Sequence, residues 1–213
     1  MQSSPPRSRI RTLAAIAAAL ILIVFGAASI VKGIDGHATV RDALALENVT
    51  GEAGMTPSVI AGKARAAGLT GVDLPTCSVE GKVVDNGADA RCFAQYMRVD
   101  ALLATGGKTY ADMPRFASKD GTGTDNEAAA VKLPNGVGMP NPARNVWITE
   151  TALSTALNTS YMAEQISLFG IGVGAALLLV GIVLGGLAIG GVRIGRADAQ
   201  TAGPRTATMF SRT

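Results

Sequence analysis

The chain of 213 residues carries little with which to do covalent chemistry: one histidine (His37), two cysteines (Cys77 and Cys92) and 16 carboxylates. A lone imidazole cannot build a metal site on histidine ligands, so a two-His-one-carboxylate iron centre is excluded by counting. A Ser-His-Asp triad needs only one histidine, but no G-x-S-x-G elbow is present to expose a serine on a strand–helix turn. No G-x-x-x-x-G-K-[ST] loop is present either, and the carboxylates are scattered singly, as on a solvated surface. The N-x-[ST] matches at Asn48 and Asn158 matter only if the source glycosylates. His37 has no partner at a spacing that makes a base or a ligand, so a structural or incidental role is expected. These residues point to no catalytic site, no metal and no cofactor.

The cysteines carry a different message. Cys77 and Cys92 lie fifteen residues apart, and a metal site would need further ligands that the neighbourhood does not supply. A lone pair of this kind reads as a disulfide formed in an oxidising compartment. Closing a loop of this size stabilises by roughly 3 kcal/mol on the chain-entropy model.

What must position these residues is set by two long uncharged runs. Thr12 to Val31 contains twenty residues without a charge, and Ile166 to Val192 is again uncharged. At ~1.5 Å per residue, twenty helical residues span the ~30 Å hydrocarbon core of a bilayer. The composition agrees: 48% hydrophobic residues against 16% charged, with only 4% aromatic and 26 glycines. Neither run holds Asp, Glu, Lys, Arg, His, Asn or Gln, which argues against a channel or transporter acting alone.

Charge placement orients the spans. Arg7, Arg9 and Arg11 precede the first, while Arg193, Arg196, Arg205 and Arg212 follow the second with one Asp. Of the 19 Lys+Arg and 16 Asp+Glu, that leaves 12 and 15 between the spans, a net of −3 there. Basic residues flanking spans favour the cytoplasmic side, so both tails (1–11 and 193–213) are expected inside and residues 32–165 outside, a plasma-membrane topology. The tails are short, and anionic lipid heads suit them better than nucleic acid. The first run also resembles a signal peptide, with Arg residues ahead and small residues behind, but it is longer than the usual apolar core of one. We read it as an uncleaved anchor, with cleavage as the alternative; the outer placement of residues 32–165 is the same in both cases.

Small residues mark one face of each span. Gly170, Gly174, Gly181, Gly185 and Ala188 superpose on the second, and Ala15, Ala19, Gly26 and Gly33 form a similar stripe on the first. Such faces let helices approach closely in lipid. They suit packing of the two spans on each other, or homo-oligomerisation and docking onto a larger membrane complex.

Between the spans, helical signals dominate. Thr39 is placed to cap Val40 to Glu47, Thr56-Pro57 to open a helix that stops at Gly68, and Asp89 to cap a helix ending at Gly106. The third carries a mostly apolar stripe of Cys92, Phe93, Tyr96, Met97, Val99, Asp100 and Leu103, with Arg91, Arg98 and Asp100 towards its polar side, so the disulfide would tie its start to the segment around Pro75 and Cys77. SVEGKVVDNG fits a small hairpin or an irregular loop. Residues 117–142, with DGTGTDN and PNGVGMPNP, read as an exposed loop with mobile parts. From Ala143 the helical period returns through Trp147, Leu153, Leu157 and Tyr161, with nothing to break it before Ile166. The second span is therefore expected to continue a long outer helix, with Tyr161 near the membrane interface.

The run NPARNVWITETALSTALNTSYMAEQISLFGIGVG, with TCSVEGK, DARCFAQYMR and ATGGKTYADM, resembles a family of two-pass integral membrane proteins of actinobacteria. The likeness covers most of residues 7–190. It implies a high-GC Gram-positive host and an envelope location, and brings no catalytic residues. Some members of that family are labelled aromatic ring-opening dioxygenases; ring-opening sites of that kind use two histidines, and this chain has one.

The expected fold class is thus mainly α: two transmembrane helices flanking a small disulfide-stapled, helical extracytoplasmic domain. The expected function is non-enzymatic. The outer domain binds a protein partner, as an accessory or scaffold subunit of an envelope complex. Lipid or small-molecule binding is the alternative, in a pocket around Tyr96, Trp147 and Leu153, and an enzyme of unknown type ranks below it.

Overall fold

The computed structural model describes residues 7–201, with side chains for 10–190. Residues 1–6 and 202–213 lie outside it, as do the side chains of Arg7, Arg9, Arg193 and Arg196 and the whole of Arg205 and Arg212, on which the inward orientation of the tails rests. Among the described residues there are four α-helices and no strand: α1 Arg7–Glu47, α2 Pro57–Ala66, α3 Gly87–Ala104 and α4 Pro142–Thr201, with one 3₁₀ turn at Glu127–Ala129.

Helix α1 does not break where a second start was expected at Thr39. It runs unbroken to Glu47, because Lys32 to Ala38 contains no proline, and the two glycines there cost only ~1 kcal/mol each relative to alanine. It ends at Asn48, whose φ of 48° is the left-handed conformation that asparagine tolerates at a helix terminus. Helix α2 starts at Pro57 as expected and is followed by Gly68 at φ 66°. Helix α3 is capped three residues earlier than expected: the Asn86 side chain accepts from the Asp89 backbone N–H at 2.9 Å. Asp89 answers by accepting from Asn86 Nδ2 at 2.6 Å, so it supports the cap without being it. Helix α4 is unbroken over 60 residues and passes the expected end of the span at Val192.

The chain divides into two compact units, residues 1–35 with 167–213, and residues 36–166. Helices α1 and α4 each contribute to both. In the first unit their small faces meet. A Cβ built on Gly26 would come 2.7 Å from the Gly174 carbonyl oxygen, and one on Gly174 would come 2.7 Å from that of Gly26. A Cβ on Gly181 would lie 2.9 Å from the Ala19 carbonyl, whereas Gly185 leaves ordinary contact with Ala19 at 3.6 Å and Gly170 lies against Ser29. Ser29 Oγ donates to the Gly170 carbonyl at 2.8 Å. Ala15 is half-buried on the same helix. Two helices, within Ile10–Glu47 and Pro142–Gly190, are long and apolar enough to cross a membrane. Their other faces are bare: Val24, Phe25, Phe169 and Leu187 are 65–73% exposed.

The second unit is built on the end of α1, on α2 and α3, and on the start of α4. One core cluster joins Met55, Ile60, Val79, Tyr96 and Val99 around Cys92. A second joins Val40 and Leu44 of α1 to Val84 and Ala90, with Leu157 and Ala163 of α4 against it. A third joins Ala101 and Leu102 to Met113 and Trp147. The segment SVEGKVVDNG does not pair with itself as a hairpin. It pairs with the chain after α1 instead, through Val84 N–H to the Val49 carbonyl and Gly51 N–H to that of Lys82. The loop after α3 is tied internally by Phe116, which bridges to both Thr124 and Pro140.

Two substitutions test this packing. Gly174→Ile places a branched side chain where even a Cβ meets backbone, and should cost about 1–3 kcal/mol or separate the helices; the loss of a disulfide formed between cysteines at positions 19 and 185, where Cβ atoms would lie 3.6 Å apart, reports it. Glu164→Ala removes the acceptor of a buried N–H on Gly87 and should destabilise the second unit by about 2 kcal/mol in a denaturation curve.

Candidate binding groove

The side chains singled out by their chemistry fall at structural posts. Cys77 and Cys92 are joined, their Cα atoms 6.1 Å apart. The wholly buried Tyr96 donates its hydroxyl to the Cys77 carbonyl oxygen at 2.7 Å, a second tie on the same segment. Burial, with the charge of Glu80 adding to it, raises the Tyr96 phenol above its usual range. His37 stands with Nδ1 3.6 Å from Glu164 Oε1, too far for a hydrogen bond. The other oxygen of Glu164 accepts from the Gly87 N–H at 2.9 Å, which puts a carboxylate at the N-terminus of α3, where the helix dipole favours it. Among the described residues no three of His, Cys, Asp or Glu converge closely enough to hold a metal ion.

Trp147 is also a structural post. It is 3% exposed, and its Nε1 donates to the Lys108 carbonyl at 2.8 Å. The Arg98 guanidinium lies 5.1 Å from its ring centroid, as Arg91 lies 4.7 Å from that of Tyr161. The pocket expected around Tyr96, Trp147 and Leu153 is therefore misplaced: Tyr96 and Trp147 are packed solid, and only Leu153 borders open space.

That space is a groove of about 1070 Å³ in the second unit. Along α4 it is bordered by residues 142, 145, 146, 149, 150, 153, 156, 157 and 160, a single face at steps of three and four. From Pro142 to Ser160 this is about 27 Å of helix at 1.5 Å per residue. Opposite stand Phe93, Met97, Asp100, Ala101 and Ala104 of α3, with Ala43, Leu44 and Glu47 of α1 at one end. The lining is apolar and unfilled; Val146 and Leu153 are 38% and 48% exposed.

Its charged groups are of one sign. Glu47, Glu52, Asp100 and Glu150 border the groove, and no Lys, Arg or His does. Glu150 is 4% exposed. Its Oε2 receives only the Thr151 hydroxyl, at 3.4 Å, and no hydrogen bond reaches Oε1 among the described residues. A buried carboxylate without a cation or a full set of donors is costly. Asp100 is an exposed residue, and partial loss of solvation raises its carboxyl above the ordinary range, with Lys63 opposing and Glu52 adding to the rise.

No family model, curated protein or solved structure matches the chain. The groove's chemistry must be read from its own residues.

The Asp100 shift gives a signed expectation. A carboxyl whose folded pKa lies above its unfolded value binds more protons when folded, so its contribution falls as pH rises through the window above 3.8. Asp100→Asn should therefore match the natural protein near pH 3 and become the more stable of the two by neutral pH. Thermal unfolding of both across pH 3–7 checks it, and a constant gap would contradict it.

Proposed function

We propose that this is a non-enzymatic, two-pass plasma-membrane protein with both termini in the cytoplasm, whose disulfide-stapled outer domain binds a protein partner through the groove. The observation that carries the binding role is the groove itself: an unfilled apolar face some five turns long, with charges of a single sign. Exposed apolar surface on this scale marks an interaction site.

The membrane placement is supported by the bare apolar faces of α1 and α4. Residues such as Phe169, at 73% exposed, are at home in lipid and costly in water. The Cys77–Cys92 bridge fits an oxidising exterior, and the arginines flanking the spans fit a cytoplasmic location for both ends. The resemblance to actinobacterial membrane proteins agrees with an envelope role. Binding is favoured over catalysis because the single imidazole neighbours Glu164, whose carboxylate already holds α3, and does not border the groove. An accessory or scaffold subunit of an envelope complex is the role that joins these features.

Two measurements on the intact protein test it. A maleimide that cannot cross membranes should label Ser118→Cys on whole cells, and Ser3→Cys or Ser211→Cys only after permeabilisation. Native mass spectrometry in mild detergent should show a protein partner in fixed stoichiometry, lost when Leu153→Asp alters the groove. A strictly monomeric particle would overturn the binding role.

A further inference from the structure

Building on that role, we infer that the occupant of the groove is a basic amphipathic helix of the partner, laid along α4 with a lysine or arginine reaching Glu150. Three features of the site select this occupant. The first is shape. The lining follows one face of α4 for about 27 Å, the length of a helix of about 18 residues, with α3 as the opposite wall. An amphipathic helix in an apolar groove is a recurrent recognition mode, read as anchors at i, i+3, i+4 and i+7. A small ligand is usually wrapped over most of its surface, whereas the walls here stand open at Val146 and Leu153. Met55 and Met97 in the lining supply side chains that adapt to an inserted anchor.

The second feature is charge. Four carboxylates and no cation border an apolar surface, so an acidic or neutral helix would leave them unpaired while removing their water. These carboxylates are distributed along the walls, and no three acids or other ligands converge on one point among the described residues. Positive charge spread along a helix matches that distribution; a single bound ion does not. The third feature is Glu150 itself, already nine-tenths buried with Oε1 unbonded. At 4% exposed it has lost most of its solvent before any partner arrives, so a cation meeting it costs little further desolvation. A second copy of this chain is a poor occupant, because a two-fold contact sets each patch on its own equivalent and would bring acidic groove to acidic groove.

The test uses full-length protein in zwitterionic nanodiscs and two fluorescent 18-residue helical peptides with the same leucine stripe. One is flanked by lysine and its twin by glutamate, and empty nanodiscs supply the background. The lysine peptide should bind at least about tenfold more tightly than its twin, with affinity falling as salt rises. Glu150→Gln should weaken it about tenfold and Leu153→Asp should abolish it, both with the melting temperature retained. Equal binding of the two peptides, or no effect of Glu150→Gln in a folded protein, overturns the basic helix while leaving groove docking intact. Phosphatidylethanolamine held in the groove and displaced by neither peptide would overturn it in favour of a lipid. Absence of any stoichiometric partner from the native spectrum of the natural protein would instead overturn the binding role itself.

Discussion

The second unit depends on one close contact, where the N-terminus of α3 meets α4. Gly87 has no side chain to lose: a Cβ there would come 2.8 Å from Tyr161 Cα and 2.7 Å from Glu164 Oε2. The backbone approach lets Glu164 accept the Gly87 N–H out of solvent, a charge-assisted bond at the positive end of a helix. At the far end of α3 a second pin closes the pair, with Trp147 bonded to the Lys108 carbonyl and lying beneath Arg98. Between these pins the facing surfaces are not filled by each other. Residues 149–157 of α4 and 93–104 of α3 border the groove. The groove is thus a consequence of fixing two helices at their ends with side chains that do not fill the middle.

That arrangement explains why the polar groups split into two kinds. Those at the pins are satisfied: Glu164 by Gly87, Tyr96 by Cys77, Trp147 by Lys108. In the groove, Glu150 has one long bond, and the carboxyl of the exposed Asp100 is raised by partial loss of solvation. Buried polar groups in proteins are ordinarily paired, and local departures from that pattern concentrate at functional sites.

Long periodic features were legible in the sequence because they are local. Run length and absence of charge marked the two apolar helices, Thr56-Pro57 marked the start of α2, and the unbroken period after Ala143 marked the continuity of α4. Boundaries set by competition were less so. Asn86 and Asp89 are both capping residues, and the choice between them is made by where Gly87 can approach α4, a contact 77 residues away in sequence. The break expected before Thr39 failed for a related reason, since two glycines weaken a helix without ending one. The groove itself was not legible, because its walls come from α1, α3 and α4 and no segment contains them. One signal was available. Glu150 stands three residues after Trp147 and three before Leu153, a charge on an apolar stripe, where a solvated helix places none.

A general base needs a free lone pair near a space that substrate can enter; Nδ1 of His37 accepts no hydrogen bond but is buried. That atom faces Glu164 at 3.6 Å, and His37 does not border the groove. Among the described residues, no three of the carboxylates that do border it converge on one point. Spread like charges on an apolar floor repel one another and attract a complementary surface. The proposed recognition role uses both properties, charge to set which partner is admitted and apolar contact to hold it.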